Sequence, residues 1–358
     1  MNRILKSLLL VLFFVAFQPG AGIPSAVGRY NFQAAQNDHI YLPFVSNQTS
    51  ATLNQTSTPT QTATPTRTPS PTRTPTPTRT PTLTRTPTAT QPPASNDPVF
   101  IGAGDIARCG SSGAKSTAKL LAKYPGTVFT LGDNAYDTGS ATEFADCYDP
   151  TWGAFKDVTY PSAGNNDYET SGAAGYFDYF GAAARGPQGY YSYDLGVWHI
   201  IVLNSNCSQA GGCGASSRQG TWLKADLAAN PTECSLAYWH HPYFSSGHNG
   251  NTSSLKPLVQ MLYNAGVEVM LSGHDHDYER FAPQNPSGQL DAANGIVQFV
   301  VGTGGSGNTA WGTIEPNSLV RQNANLGVLK FTLHPTSYDW KFIPVSGSFS
   351  DSGTASCH

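Results

Sequence analysis

Short apolar runs alternate with segments of helical hydrophobic spacing between residues 97 and 358. The apolar runs end in glycine or in a polar residue, which is typical of buried strands. Strands are predicted at residues 99–105, 127–133, 198–204, 236–240, 267–273 and 296–302, and helices at 116–123, 221–229 and 255–265. Residues 326–345 have the pattern of antiparallel strands. The alternation predicts an α/β protein in which helices pack on mixed sheets.

The first 26 residues have the pattern of a secretory signal peptide. Arg3 and Lys6 precede a ten-residue apolar run over residues 8–17, and Pro19 and several small residues follow it. The run is shorter than the roughly 20 apolar residues that span a bilayer, so a cleaved signal is favoured over a retained anchor. No A-x-A pattern fixes the cleavage site. These features predict a secreted or cell-surface protein.

Two further segments separate this leader from the α/β pattern. Residues 27–55 are too few to fold alone, and anchoring to a cell surface is one role open to them. Residues 56–96 are rich in Thr, Pro and Arg, with four arginines spaced six residues apart. Because this segment has no apolar set to bury, it is predicted to be a disordered, extended linker, and its composition also suits an O-glycosylated stalk. A single large domain is then expected over residues 97–358.

The formal net charge of −3 is the average of two unlike parts. Residues 1–96 carry seven Lys or Arg and one acid, whereas residues 97–358 carry thirteen Lys or Arg and twenty-two acids. The larger part is acidic and has no basic footprint of the kind that binds nucleic acid. We therefore expect no nucleic-acid partner. At this length, the acidic part can bury a substantial core.

All six cysteines lie in the acidic part of the chain. An even number of cysteines in an exported protein predicts disulfide bonds, and six cysteines allow 15 pairings. Cys207 and Cys213 flank a glycine-rich stretch and could close a small loop, or each could pair elsewhere. The sequence leaves the connectivity open. The chain has no CxxC motif, which argues against a cysteine zinc site.

Polar residues of ligand type follow several of the predicted strands. They are Asp105, Asp133, Asn165, His240 and the pair His274 and His276. The ends of strands are where functional loops of layered α/β proteins gather. Carboxylate, amide and imidazole ligands together suit zinc, manganese or iron. Since these ligands exceed the needs of one four-coordinate site, a two-metal centre is predicted.

The same residues belong to five ordered motifs. The motifs are Gly104-Asp105, Gly132-Asp133-Asn134-Ala135-Tyr136, Gly164-Asn165, Trp239-His240-His241-Pro242 and Gly273-His274-Asp275-His276. In this order they resemble the calcineurin-like metallophosphoesterases, and Tyr136 and Tyr278-Glu279-Arg280 resemble the purple acid phosphatase branch. The resemblance covers about residues 99–345 and lacks the N-terminal sandwich domain of the large plant members. It implies a four-layer sandwich of two mixed β-sheets flanked by helices, with residues 97–358 as the catalytic domain.

The resemblance also implies an arrangement of metal ligands. One metal would be held by Asp105, Tyr136 and His276, with Asp133 bridging to the second metal. The second set would consist of Asn165, His240 and His274. A phenolate ligand such as Tyr136 favours Fe(III) at the first position, and Zn, Mn or Fe(II) is expected at the second.

The reaction implied by the resemblance is hydrolysis of phosphate monoesters. A hydroxide held by the metals would attack phosphorus in line, and the partner would be a small phosphate ester. One alternative is a phosphodiesterase that acts on nucleotides or phospholipid headgroups with the same metals. A second alternative is a surface-attached binding protein with a degenerate site.

One position departs from the family pattern. The family has a phosphate-contacting histidine after the ligand asparagine, where this chain has Asn166. An asparagine side chain donates hydrogen bonds but transfers no proton near neutral pH, so His248 or His241 is the alternative catalytic acid. The predicted catalytic residues are His248, His241 and Asn166. The predicted substrate contacts are Asn166, His241, Tyr278 and Arg280, since arginine is a natural phosphate contact.

Overall fold

A computed structural model describes residues 97–358 of the chain. The predicted signal peptide, the segment over residues 27–55 and the linker over residues 56–96 lie outside the described residues. Within residues 97–358, none of the helices has the length and apolar character needed to cross a membrane.

Fifteen strands form two large sheets and one small sheet within the described residues. The strands are β1 Val99–Ala103, β2 Ala107–Arg108, β3 Thr127–Leu131, β4 Ala135–Tyr136, β5 Thr159–Ser162, β6 Tyr191–Leu195, β7 Trp198–Val202, β8 Ser235–Tyr238, β9 Val269–Ser272, β10 Tyr278–Phe281, β11 Val297–Val301, β12 Ser318–Gln322, β13 Gly327–Leu333, β14 Ser337–Pro344 and β15 Ser352–Ser356. The first sheet has the order β15-β14-β13-β1-β3-β5, and the second has the order β12-β10-β11-β9-β8-β7-β6. Strands β2 and β4 form the small parallel sheet.

The α-helices connect these strands. They are α1 Gly113–Lys123, α2 Ala141–Glu143, α3 Ala174–Phe180, α4 Arg218–Ala229 and α5 Lys256–Asn264. The Ser140 hydroxyl and the Glu143 carboxylate form a capping box at the start of α2, and the Ser217 hydroxyl caps α4. Single turns of 3₁₀ and π helix occur around α2 and α3.

The main core lies between the two large sheets. In β8, Leu236 and Tyr238 point into this core, whereas Ala237 points to the opposite face. The Tyr238 ring contacts Phe100 and Phe129 of the first sheet, at centroid distances of 5.9 and 6.0 Å. Because successive side chains of a strand alternate between faces, a strand that is buried along its whole length requires cover on both sides.

Helices cover the outer faces of both sheets. Leu223 of α4 and Leu258 and Leu262 of α5 pack with the second face of the seven-stranded sheet. Ala114 and Leu121 of α1 pack against the six-stranded sheet. The result is a layer of helix, two layers of sheet and another layer of helix, and this confirms the predicted fold class.

Most predicted elements occur with small shifts at their ends. The six predicted strands correspond to β1, β3, β7, β8, β9 and β11, and the three helices to α1, α4 and α5. Residues 326–345 form the antiparallel pair β13 and β14, as predicted. Seven strands were not predicted, namely β2, β4, β5, β6, β10, β12 and β15. Of these, β6 and β15 lie at sheet edges and alternate with exposed polar residues. A half-exposed edge strand has no continuous apolar run to signal it.

Three disulfide bonds use all six cysteines. Cys207 pairs with Cys213, which is one of the alternatives that the sequence left open. Cys109 pairs with Cys147, and Cys234 pairs with Cys357. The prediction of disulfides is confirmed, and the structure supplies the connectivity that spacing alone could not.

Candidate metal centre

The ligand-type residues meet because they follow parallel strands. Strands β1, β3 and β5 are parallel neighbours, and they are followed by Asp105, Asp133 and Asn165. In the second sheet, the parallel neighbours β8 and β9 are followed by His240 and His274. Parallel strands end at one edge of their sheet, and both sheets present this edge to the same place.

Tyr136 lies at the centre of one half of the cluster. Its hydroxyl oxygen is 2.6 Å from Oδ1 of Asp105 and 3.0 Å from Oδ2 of Asp133. It is also 3.1 Å from Nε2 of His276, and that nitrogen is 3.3 Å from Oδ1 of Asp105. The three residues expected to hold the first metal and the expected bridging residue, Asp133, therefore converge on one point.

The other half of the cluster is built around His240. Its Nε2 atom is 3.0 Å from Oδ1 of Asn165, 3.2 Å from Nδ1 of His274 and 3.4 Å from Oδ1 of Asp133. Asp133 contacts both halves, with Oδ2 near Tyr136 and Oδ1 near His240. This is the placement that a bridging carboxylate requires.

The chemistry of these donors fits a cation. Nδ1 of His240 is 2.7 Å from the carbonyl oxygen of Leu131 and donates to it, which leaves Nε2 with a lone pair when the ring is neutral. That lone pair faces the oxygens of Asn165 and Asp133. Acceptor atoms that face one another without a proton repel, and a metal ion between them removes the repulsion. The residues present therefore suit the metals that the fold family implies.

The pKa values of these residues also indicate that the site lacks positive charge. Burial alone would lower the pKa of His240, but Asp133 and Asp105 outweigh it and raise the pKa to about 9. Burial and the neighbouring His240 lower the pKa of His274 to about 4. Burial, with Asp105 and Asp133, raises the pKa of the Tyr136 hydroxyl well above its ordinary value. The same carboxylates also raise the pKa of His276. The buried carboxylates thus draw protons onto two imidazoles and the phenol where no cation balances them.

The backbone is strained at several of these residues. Asp105, Asp133 and His274 have φ of 60°, 50° and 70°, in the left-handed region that residues other than glycine seldom adopt. Gly164 packs against Asp133, and a Cβ atom at Gly164 would lie 2.0 Å from Oδ1 of Asp133. Strain of this kind persists where surrounding contacts impose it, typically at functional sites.

Asn166 and His241 flank the cluster. Nδ2 of Asn166 donates to the carbonyl oxygen of Asp137 at 2.8 Å, and its Oδ1 accepts from Nδ2 of Asn165 at 2.8 Å. The second bond turns Oδ1 of Asn165 toward His240. Nδ1 of His241 is 2.8 Å from the hydroxyl of Ser205, and its ring lies 4.4 Å from that of His274. Burial, with His240 and His274, lowers the pKa of His241 to about 2.

His248 is an exposed residue on a loop that is anchored beside the cluster and is buried over residues 245–247. The next residue, Asn249, donates from Nδ2 to the carbonyl oxygen of His274 at 3.2 Å. Its backbone N–H donates to Oδ1 of buried Asp275 at 2.8 Å. The His248 side chain therefore projects from a segment that is tied to the ligand-bearing motif.

The structure does not bring Tyr278 and Arg280 to the cluster. The hydroxyl of Tyr278 donates to Oδ2 of Asp351 at 2.7 Å. Arg280 makes a two-pronged pair with the same carboxylate, with Nε–Oδ2 at 2.7 Å and Nη2–Oδ1 at 3.0 Å, and its guanidinium lies over the Trp340 ring. Both predicted substrate contacts thus bind Asp351 in the folded structure. The motif around them could not reveal this partner, because Asp351 is some 70 residues away.

Two residues that support the cluster were missed by sequence reasoning. Buried Asp167 accepts from the backbone N–H of Gly164 at 2.9 Å and from Nδ2 of Asn134 at 2.9 Å, so it joins the loops after β5 and β3. Burial and Asp133 raise its pKa to about 7. The Ser306 hydroxyl lies 3.2 Å from Nδ1 of His276 and orients that ring. The only signal for Ser306 is its place in a glycine-rich stretch.

Together, the sandwich of two mixed sheets and the carboxylate–imidazole–phenol cluster at its strand ends define a metallophosphoesterase. The sequence model of the calcineurin-like phosphoesterase family matches residues 98–278 of this chain. The chain belongs to the calcineurin-like phosphoesterase family.

The curated relatives include purple acid phosphatases of Arabidopsis thaliana. Purple acid phosphatase 15 is 32% identical over 123 residues, which cover 33% of this chain and 22% of the relative. Probable purple acid phosphatase 20 is 28% identical over 211 residues, which cover 51% of this chain and 46% of the relative. The chain thus matches less than half of the length of these relatives.

Among solved structures, the purple acid phosphatase PPD1 from yellow lupin seeds shares the fold. Its TM-score is 0.61 at 18% sequence identity, and the match covers 73% of this chain and 54% of the lupin chain. At this identity the likeness is one of architecture, and it agrees with the layers described above.

Proposed function

We propose that this protein is an exported phosphatase that hydrolyses phosphate monoesters with two metal ions. The observation that carries the proposal is the convergence of two carboxylates, three imidazoles, an amide and a phenol on one site, with Asp133 in contact with both halves. The purple acid phosphatases among the relatives support the same reaction class.

In this proposal, Asp105, Tyr136 and His276 would hold one metal, and Fe(III) is proposed there because a phenolate ligand favours that ion. Asn165, His240 and His274 would hold Zn, Mn or Fe(II), and Asp133, which contacts both halves of the cluster, would be shared by the two ions. When bound, the ions supply a nucleophile near neutral pH and neutralise charge on the phosphoryl group. The Leu131 carbonyl and the Ser306 hydroxyl hold the rings of His240 and His276 in ligand orientation.

His248 is the residue we propose as the acid that protonates the leaving group. Both polar ends of the Asn166 side chain bind protein atoms, and asparagine transfers no proton near neutral pH. The ring of His241 is held by Ser205 against His274. His248 is exposed and free of such contacts among the described residues, and the next residue, Asn249, is tied to the carbonyl oxygen of His274. General acid catalysis is typically worth 10²–10⁴-fold, and it matters most for poor leaving groups.

Export is supported by the three disulfide bonds. Structural disulfides persist in oxidising compartments and are rare in the cytosol. The predicted signal peptide agrees with this location, and the predicted linker would set the enzyme apart from the segment over residues 27–55.

The experiment is a comparison of p-nitrophenyl phosphate with bis-p-nitrophenyl phosphate, together with quantification of bound metals. We expect two metal ions per chain and a higher kcat/KM for the monoester. Asp133→Asn should lower the metal content and reduce kcat by at least about 10³-fold, because both metals lose a ligand. Preference for the diester would favour a phosphodiesterase. A protein that binds no metal and hydrolyses neither compound would favour a binding role instead.

A further inference from the structure

A cavity of about 450 Å³ opens directly beside the candidate metal centre. Asn165 and His241 form the wall that it shares with the cluster. The other walls come from residues 168–169, residues 205–209 and the pair Thr252 and Ser254. Because the cavity adjoins the cluster, an ester whose phosphoryl group lies at the centre can extend its leaving group into this space.

The lining of this cavity combines polar and apolar surface in similar amounts and carries almost no charge. Among the described residues that line it, there is no lysine or arginine, and Glu169, exposed at the rim, is the one acidic side chain. Six further lining side chains carry an aliphatic hydroxyl or an amide group. They are those of Ser205, Asn206, Ser208, Gln209, Thr252 and Ser254.

The walls are fixed by covalent and hydrogen bonds. The Cys207–Cys213 disulfide closes the loop that carries Ser208 and Gln209. Nδ2 of Asn206 donates to the carbonyl oxygen of Ala163 at 3.2 Å. The Tyr168 hydroxyl, on the opposite side, accepts from Nδ2 of Asn204 at 2.8 Å. A cavity whose walls are tied in this way keeps its shape before a ligand binds.

We propose that this cavity selects monophosphate esters of uncharged, hydroxyl-rich alcohols and disfavours leaving groups that carry negative charge. The inference rests on the proposed phosphatase function and adds a substrate class to it. Hydroxyls of a polyol find both donors and acceptors on the serine, threonine, asparagine and glutamine side chains. A carboxylate or second phosphate on the leaving group finds no cation there and meets the charge of Glu169.

A matched pair of substrates isolates this effect. Glycerol 3-phosphate and 3-phosphoglycerate share a three-carbon skeleton and differ by a hydroxymethyl group in place of a carboxylate. We expect kcat/KM to favour glycerol 3-phosphate by about fivefold, since like charges about 4 Å apart in water repel by roughly that factor. Both compounds use the same metals, so the ratio does not depend on metal loading.

Substitutions at Glu169 test the cause. Glu169→Gln should bring the ratio close to one and Glu169→Lys should reverse it, mainly by lowering KM for the ester that carries the carboxylate. Glu233→Gln is the control, because it makes the same change in charge at an exposed position before β8, at the opposite end of that strand from His240. Calorimetric binding of the phosphonate analogues of both substrates gives a readout that needs no turnover and should show the same preference.

These measurements distinguish failure of the proposed phosphatase function from failure of the proposed substrate class. If the metal-loaded protein hydrolyses neither substrate nor p-nitrophenyl phosphate, the proposed function fails. If it hydrolyses both at equal kcat/KM, or if neither Glu169 variant moves the ratio, the phosphatase proposal stands and this substrate class is overturned.

Discussion

At the scale of single residues, the site owes its form to backbone conformations that its side chains alone would not choose. Asp105, Asp133 and His274 all have positive φ, although none of them is glycine. A left-handed residue costs on the order of 1 kcal/mol, so the three together oppose folding. In return, the turns direct three donor side chains into one cluster. The backbone N–H of His274 also donates to Oδ2 of Asp105 at 2.8 Å, which links two of these turns.

Tyr136 gives the most direct test of the proposed centre. Its hydroxyl contacts Asp105, Asp133 and His276 within 3.1 Å. Iron-loaded protein is expected to absorb visible light through a phenolate-to-iron transition, and Tyr136→Phe should abolish the band because the oxygen is gone. Tyr191→Phe removes another buried hydroxyl, which donates to the Pro161 carbonyl, and should leave the band intact. A band that survives in Tyr136→Phe would contradict the ligand assignment.

The pair of Arg280 and Asp351 predicts a pH-dependent stability. Burial would raise the pKa of Asp351, but the hydrogen bonds from Arg280 and Tyr278 outweigh it and lower the pKa. Stability from this carboxylate is therefore complete above the ordinary carboxyl pKa near 3.9 and is lost as the pH falls through the lower, folded value. Asp351→Asn should lower the free energy of unfolding by about 2–4 kcal/mol at pH 7, since it leaves Arg280 largely buried and unpaired.

Urea unfolding at pH 7, 5 and 3.5 measures this effect. The difference between Asp351→Asn and the parent should be the same at pH 7 and pH 5 and should shrink at pH 3.5. Asp178→Asn, a change at an exposed acid, should shift the free energy by less than about 0.5 kcal/mol at each pH. An equal difference at all three pH values would show that the carboxylate charge is not what stabilises Arg280.

The residues show how far sequence reasoning reaches. Asp105 and Asp133 could be predicted as ligands because each follows a recognisable strand within a motif. Arg280 could not be placed, because its partner Asp351 is distant along the chain and lies in no motif. Asp167 was likewise missed as a support, since its role depends on the meeting of two loops in space.

At the scale of elements, the loop that carries His248 is held by two buried carboxylates. Oδ2 of Asp275 accepts from the Ser245 hydroxyl at 2.5 Å, and its Oδ1 accepts from the backbone N–H of Asn249. Glu279 accepts from the backbone N–H of Ser246 at 2.8 Å. These acids lie on the segment of the final histidine motif, so one element carries proposed metal ligands and also holds the loop of the proposed acid.

Loosening this loop should reduce turnover of poor leaving groups. In Asp275→Asn we expect faster hydrogen exchange at residues 245–249 and a roughly tenfold lower kcat for an alkyl phosphate, because His248 is less well positioned. Turnover of p-nitrophenyl phosphate, whose leaving group needs little protonation, should change much less. Metal content, measured in parallel, should stay the same.

Asp277→Asn is the matched control for this experiment. Asp277 is buried on the same segment, and neither of its carboxylate oxygens has a hydrogen-bond partner in the described part of the chain. The substitution therefore changes the same chemical group without touching the loop. If it slows the alkyl phosphate as much as Asp275→Asn does, disturbance of this buried segment, and not the position of the loop, is the cause.

Elements were predictable where burial is continuous. Strands β8 and β9 are buried along their whole length and stand out as apolar runs. Strand β15, with the sequence Ser-Gly-Thr-Ala-Ser, is half exposed and takes its conformation from pairing with β14. Its formation depends on a partner that sequence periodicity does not reveal.

At the scale of the whole molecule, the two sheets are joined by a covalent bond. Cys357 directly follows β15 of the six-stranded sheet, and Cys234 directly precedes β8 of the seven-stranded sheet. The candidate metal centre is built from residues that follow strand ends of both sheets, so its geometry depends on how the two sheets pack. Most of that packing comes from the shared aromatic core, in which Phe100 and Phe129 contact Tyr238.

This disulfide should stabilise the fold more than the small one at the cavity. The Cys234–Cys357 bond closes a separation of 123 residues, whereas Cys207–Cys213 closes a separation of 6. Chain entropy predicts stabilisation of about 5 kcal/mol for the long loop and about 2 kcal/mol for the short one. Replacing Cys234 and Cys357 by serine should lower Tm by roughly 10 °C, and replacing Cys207 and Cys213 by roughly 4 °C.

Loss of the Cys207–Cys213 bond should instead raise KM, because its loop forms a wall of the cavity, and loss of the Cys234–Cys357 bond should leave KM unchanged. Scanning calorimetry and kinetics on both double variants measure the two effects, and a larger loss of Tm from the short pair would show that loop length does not govern stability here.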